Sequence, residues 1–267
     1  MKDLGRMEAN RQLWDDRVDV HRRSDYYDVE GFRQGRNTLR SVELEELGDV
    51  TGRSLLHLQC HFGLDTLSLA RMGARVTGVD FSKPAVALAS SLAAELGIEA
   101  RFVLSNVYQL TRELHEQFDV VFTSHGALGW LPDIPEWARV VARFLRPGGT
   151  FVVVDDHPIA ACFTEDEGRL ELRCSLFQEV PFEYLTRTTY AGDEVLPQAR
   201  QNFQWSWTVS GMVTALIDAG LRVDRLRELP IMTWRRFPSM TRDDDGWWRL
   251  PGDPLPLLVA CCAVKPL

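Results

Sequence analysis

Short apolar runs alternate along this chain with longer segments whose apolar residues recur at helical spacing. The short runs are Ser54 to Leu58, Arg75 to Val79, Ala100 to Leu104, Phe118 to Thr123 and Thr150 to Asp155. They are rich in Val, Leu and Phe, which predicts buried strands. Between them, Leu64, Leu67 and Ala70 share one helical face. So do Ala85, Leu88, Ala89, Leu92 and Leu96, and so do Trp137, Val140, Val141, Phe144 and Leu145. The punctuation agrees. Ser82 is a good N-cap, Pro84 suits a first helical turn, and Gly97 suits the position after a helix end. Asp133 with Glu136 resembles a capping box, and Arg146-Pro147-Gly148-Gly149 is a tight turn. Strands joined by helices lie parallel with right-handed crossovers, so the fold class is α/β, a doubly wound and mostly parallel sheet.

The pattern changes at both ends of this block. Before it, residues 1–50 are rich in charge and aromatics. A helix over Ala9 to His21 puts Leu13, Trp14, Arg17, Val18 and His21 in one stripe, a Gly-containing loop holds Tyr26, Tyr27 and Phe32, and a second helix covers Ser41 to Leu47. After it, residues 160–207 form short alternating runs broken by Gly168, Pro181 and Gly192-Asp193. This predicts an insertion of antiparallel strands long enough to roof a pocket. A helix capped by Ser210 and ended by Gly220 follows, then a strand over Leu221 to Leu229 and a last strand over Leu255 to Lys265. One domain spanning residues 1–267 is the expectation.

In a parallel sheet of this kind the turn from Gln59 to Gly63 and the residue Asp80 sit side by side at the carboxyl edge, where ligands bind. A carboxylate there is placed to accept hydrogen bonds from both hydroxyls of a ribose. Two cofactor classes use that arrangement. Dinucleotides need glycines where the pyrophosphate meets the backbone, whereas S-adenosylmethionine (SAM) has no phosphate. Of positions 59, 61 and 63 only the last is Gly, which weighs against a dinucleotide. A plain crossover turn beside an N-capping Asp80 is the bland alternative. The first, fourth and fifth strands each end in polar residues at this rim, and His125 and His157 are the titratable candidates for a general base.

Three stretches, LLHLQCHFGLDTLSLARMGARVTGVDFSKPAV, FDVVFTSHGALGWLPDI and RVVARFLRPGGTFVVVD, resemble the class I SAM-dependent methyltransferases, in particular a bacterial small-molecule branch. The likeness covers Asn10 to Pro158 and, more loosely, Phe203 to Pro266. It departs from the commoner Asp-x-Gly-x-Gly-x-Gly pattern at His57, Gln59 and His61. The resemblance implies a seven-stranded Rossmann-like sheet, SAM as cofactor, and residues 1–50 folded over it as a lid. It also implies cofactor contacts from Trp14, Gln59, Cys60, Gly63, Asp65, Thr66, Asp80, Phe81, Asn106, Val107 and Ser124, with Asn106 accepting from the adenine amino group and Phe81 against the ring. Tyr26, Tyr27 and Trp205 are the substrate-side candidates, with Tyr184, Tyr190 and Trp207 behind them; each also reads as simple packing. The implied reaction passes a methyl group to an N, O or S atom of a small molecule, a natural product for example, with His157 ahead of His125 as base. A SAM-binding protein without methyl transfer and a dinucleotide oxidoreductase are the rival readings.

Composition narrows the substrate class. Lys plus Arg is 30 against 38 Asp plus Glu, a net charge of −8. Phosphate recognition needs a basic stripe, and the one notable pair, Arg235-Arg236, is followed by Asp243-Asp244-Asp245, so no nucleic-acid partner is expected. Five cysteines show neither a paired framework nor CxxC metal spacing; a reducing, cytoplasmic setting and no metal are the expectation. No run reaches the roughly 18 apolar residues of a membrane span and Met-Lys-Asp opens no signal peptide, so no membrane partner is expected. A monomer or a homodimer fits these features.

Overall fold

The computed structural model describes residues 3–267, so Met1 and Lys2 of the expected lid lie outside the described residues. In chain order the elements begin with α1 (Leu4–Arg23), α2 (Val29–Arg33) and α3 (Ser41–Leu47). The alternating block follows as β1 (Ser54–Leu58), α4 (Leu64–Arg71), β2 (Arg75–Asp80), α5 (Lys83–Leu96), β3 (Ala100–Leu104), β4 (Phe118–Ser124), α6 (Ile134–Phe144) and β5 (Leu145–Asp156). Next come α7 (Pro158–Ala161), β6 (Phe163–Asp166), β7 (Arg169–Leu172), β8 (Phe182–Thr186) and β9 (Arg200–Gln204). The chain closes with α8 (Val209–Asp218), β10 (Arg222–Leu229), β11 (Thr241–Arg242), β12 (Trp248–Arg249) and β13 (Leu258–Val264).

Seven strands form one sheet in the order β10-β13-β5-β4-β1-β2-β3. β5, β4, β1, β2 and β3 run parallel, and β13 and β10 pair antiparallel at one edge. Because side chains alternate along a strand, neighbours in sequence serve opposite faces. Leu56, Val121 and Val153 join Trp137 of α6 and Leu216 of α8 in one buried cluster, while Leu55, Val120, Val152 and Val154 join Val42 of α3 and Leu69 of α4 in another. Helices on both faces explain why the central strands are apolar throughout. Two glycines set the spacing at the ligand edge. A Cβ on Gly63 or Gly78 would lie within 2.6 or 2.7 Å of the Phe102 ring, so only glycine lets the turn after β1 settle over β2 and β3.

The inserted segment forms two hairpins, β6–β7 and β8–β9. The latter lies along α1. Asn10 Nδ2 donates to the Phe203 carbonyl at 2.7 Å, and the Phe203 N–H donates to Asn10 Oδ1 at 2.8 Å. Arg200 pairs with Asp16 at 2.6 Å. Helix and hairpin thus form one roof.

Several boundaries depart from the sequence reading. The first helix is longer than Ala9 to His21, extended by charged turns in which Arg22 bonds Asp19 and Arg11 bonds Glu8. The expected loop after it contains α2, because the Asp28 side chain accepts from the Gly31 N–H and starts a helical turn there. Thr208 rather than Ser210 caps α8, accepting from the Gly211 N–H at 2.9 Å. The last strand begins at Leu258 and not Leu255, since Pro256 has no N–H for the ladder. Among the described residues no helix is long and apolar enough to cross a membrane.

Candidate active site

At the carboxyl edge of the sheet, under the roof, lies a cavity of about 780 Å³. The turn after β1, the ends of β2, β3, β4 and β5, and aromatic side chains from α1 and the insertion bound it. Trp14, Gln59, Cys60, Gly63, Asp65, Asp80, Phe81, Asn106, Val107, Ser124, His125, His157, Tyr26, Tyr27 and Trp205 all reach its wall. Thr66 does not. It points into the protein, where its hydroxyl bonds His57 Nδ1 at 2.9 Å. Tyr190 and Trp207 also line the cavity, whereas Tyr184 does not.

The turn from 59 to 63 shows how the departures from the glycine pattern are accommodated. Gln59, His61 and Gly63 all have positive φ, at 56°, 50° and 79°. The backbone keeps a glycine-like path at a cost of roughly 1–2 kcal/mol for each non-glycine residue. Each of the two bulky side chains finds a partner away from the turn. Gln59 Nε2 donates to the Ala127 carbonyl at 3.2 Å. His61 Nε2 meets His21 Nδ1 of α1 at 2.9 Å, and its ring sits edge-on to Trp14 with centroids 5.2 Å apart. Gln59 Oε1 and His61 Nδ1 remain buried without partners among the described residues.

Asp80 ends β2 and is buried. One carboxylate oxygen accepts from the His61 N–H and the other from the Ser82 N–H, each at 2.8 Å. Burial pushes its pKa up to about 6 against those two donors. Each oxygen keeps a lone pair for a further donor. Asn106 already accepts from the Tyr108 N–H at 3.0 Å, so an adenine amino group would share an occupied carbonyl. His57, in place of the usual first carboxylate, bridges Thr66 and the Ser124 hydroxyl; burial lowers its pKa to about 3 and keeps it neutral.

The two histidine candidates differ in what their nitrogens do. His157, expected to lead, is engaged at both: Nε2 bonds Glu228 at 2.7 Å and Nδ1 accepts from the Ile159 N–H at 3.2 Å, starting α7. Both ring nitrogens of His157 thus have partners within the protein. His125 bonds the buried Glu43 of α3 through Nε2, and its Nδ1 is buried and unpartnered among the described residues. Burial lowers the His125 pKa and raises that of Glu43 to about 7. His125 lines the cavity, and a carboxylate on one ring nitrogen with the other left unpartnered is the arrangement of an oriented general base. Asp155 shapes the loop that carries His125, accepting from the N–H groups of Gly126, Ala127 and Leu128.

Sequence reasoning missed Glu43, Arg17 and Asp156 as site residues. Arg17 stood in the predicted stripe of α1, and its charge inside an apolar stripe was the available signal. Glu43 gave none, because its partner lies 82 residues away.

The seven-stranded order with its antiparallel edge is a fold shared with solved structures of SAM-dependent methyltransferases. Residues 55–149 match the family described as a methyltransferase domain. The ubiquinone biosynthesis O-methyltransferase of Aeromonas salmonicida (strain A449) is 31% identical over 130 residues, which are 47% of this chain and 54% of that protein. The chain therefore spans about half the length of the curated relatives it matches at this identity. A SAM-dependent methyltransferase structure from Mesorhizobium loti superimposes with a TM-score of 0.58 at 22% identity, covering 87% of this chain and all (100%) of that one. A structure from Listeria monocytogenes, described as a putative enzyme of the same kind, gives a TM-score of 0.59 at 17% identity over 85% and 97% of the two chains.

Proposed function

We propose that the chain transfers the methyl group of SAM to an oxygen, nitrogen or sulfur atom of a small molecule held in the cavity, a natural product or other secondary metabolite. The observation that carries this reading is Asp80, a buried carboxylate at the cavity edge with one free acceptor position on each oxygen. Two ribose hydroxyls fit that pair. The fit extends along the edge: Phe81 and Val107 offer apolar faces for adenine, and the unpartnered Gln59 Oε1 accepts from an ammonium. A dinucleotide fits poorly, because Asp65 stands in the first turn of α4, where a pyrophosphate would need positive charge. The name of the Aeromonas relative supports oxygen as one accepting atom.

Bound there, SAM supplies an electrophilic methyl group on a positively charged sulfur, and transfer leaves the neutral thioether. This chain contributes alignment, exclusion of water and a proton acceptor. Trp14, Trp130 and Tyr190 line the cavity with aromatic surface that excludes water and aligns an acceptor. His125 Nδ1 takes the proton of a hydroxyl, thiol or ammonium, while Glu43 holds Nε2–H and stabilises the imidazolium.

Titration calorimetry should show binding of SAM and none of NAD, and methyl-labelled SAM incubated with a panel of hydroxylated, amino and thiol compounds should yield a labelled product. A well-folded protein that ignores SAM overturns the reading. Asp80→Ala should weaken SAM binding by about 1.5–3 kcal/mol, the range for hydrogen bonds to a charged group. Unchanged affinity in a variant with the wild-type circular dichroism spectrum would remove Asp80 from the site.

A further inference from the structure

All five cysteines are free thiols, and the insertion brings two of them together. Cys162 caps the end of α7, and Cys174 lies just beyond β7, so the β6–β7 hairpin separates them in sequence. At the open end of that hairpin the Cys162 carbonyl accepts from the Arg173 N–H at 2.7 Å and from the Cys174 N–H at 3.4 Å. Cys162 has a helical backbone there, with φ −80° and ψ −12°. The alternation of sides along a ladder therefore does not part its side chain from that of Cys174. The two thiols lie within hydrogen-bonding reach of each other. Cys174 Sγ is also 3.8 Å from the Ala161 carbonyl oxygen, and Cys162 Sγ is 3.9 Å from that of Pro158.

Their surroundings give the two sulfurs different roles. Cys174 is half-buried and open to a small reagent, whereas Cys162 is 1% exposed. Burial, reinforced by the Cys174 thiol, pushes the Cys162 pKa up to about 11, which keeps it a thiol until a partner sulfur is presented. Arg236, whose Nε donates to the Ala160 carbonyl at 2.8 Å, stands near both sulfurs and favours a thiolate. The other three cysteines are buried and lie apart. Cys261 and Cys262, adjacent in β13, serve separate clusters on opposite faces of the sheet, and Cys60 belongs to the turn after β1.

We propose that Cys162 and Cys174 are a site of reversible oxidation by peroxide, closing a disulfide that fastens the β6–β7 hairpin to α7, where Ala160 and Ala161 form part of the cavity wall. The Cys174 sulfur attacks one peroxide oxygen and the O–O bond breaks. The thiol proton leaves with the second oxygen as water, and Cys174 becomes a sulfenic acid. The Cys162 sulfur then attacks the Cys174 sulfur. As the S–S bond forms, the S–O bond breaks, and the hydroxyl departs with the Cys162 proton as a second water. One peroxide is thus reduced by two electrons and two thiols are oxidised. A small thiol reverses the change by exchange.

The folded full chain, treated with hydrogen peroxide at a concentration that oxidises free cysteine, should lose two of its five thiols and two hydrogens in mass. A peptide map without reductant should join Cys162 to Cys174, and dithiothreitol should restore both thiols. Cys174→Ser should keep all its remaining thiols under the same treatment. Trypsin, read on a reducing gel, should cut oxidised wild type after Arg169 and Arg173 at least about threefold more slowly than reduced protein, because the bond opposes local opening of the hairpin. Survival of all five thiols, a sulfinic acid at Cys174 without a bond, or a disulfide between two copies of the chain overturns the site. Equal cutting of the two states overturns the fastening. The peptide map uses the wild-type protein, so it decides the matter even if Cys174→Ser does not fold.

Discussion

Replacing His125 by asparagine should lower kcat by about 10²- to 10⁴-fold while SAM affinity stays within about threefold, provided the acceptor arrives protonated. Asparagine is the informative substitute because residue 125 has a φ of 23°, a backbone that Asn tolerates better than Ala. The effect also depends on pH. Burial raises Glu43 to about 7. Below that value a protonated Glu43 donates to Nε2 and drives the ring proton onto Nδ1, removing the acceptor from the cavity. The rate should therefore fall as pH drops through about 7. Glu43→Gln should remove most of that dependence, since an amide does not titrate. Full-rate turnover by His125→Asn would show that the acceptor arrives deprotonated and that alignment alone suffices.

Trp137→Ala should cost about 3–5 kcal/mol of folding stability, measured by urea unfolding, the range for deleting a large aromatic from a core. Trp137 is fully buried in the largest apolar cluster, edge-on to Phe151 with ring centroids 5.4 Å apart. The size of the loss follows from its place between α6 and the central strands. Trp137→Phe should be much milder, because the indole Nε1–H is itself buried without a partner, and its removal offsets part of the lost packing. Comparable losses from both substitutions would contradict this account of the indole nitrogen.

Local chemistry explains which parts of the chain were legible. Helix α5 begins and ends where Ser82, Pro84 and Gly97 place it, with the Ser82 hydroxyl accepting from the Ala85 N–H. β1, β3 and α3 also have the bounds their residue pattern predicts. These signals lie within a few residues of the features they govern. The site was legible where the chain order of a parallel sheet dictates position: Asp80 and the turn from Gln59 to Gly63 must meet at the sheet edge. It was not legible where roles depend on distant partners. The pattern placed His157 at the rim as the leading base candidate but gave no sign of its partner Glu228, on the antiparallel edge of the sheet. The pairing of His61 with His21 of α1, 40 residues earlier, was out of reach of the pattern for the same reason. Thr66 faces His57 rather than the cavity, a choice between two sides of one helical turn that spacing alone does not make.

The paired hydrogen bonds between Asn10 and Phe203 have a consequence for recombining this chain with its relatives. The amide of Asn10 docks against the Phe203 backbone much as a neighbouring strand would, across 193 residues of sequence. A graft that exchanges residues 160–207 alone would bring in a hairpin shaped for a different first helix. Such chimeras should fold and retain their ligands best when the first helix and the insertion are inherited together, as a single cassette split between two places in the gene.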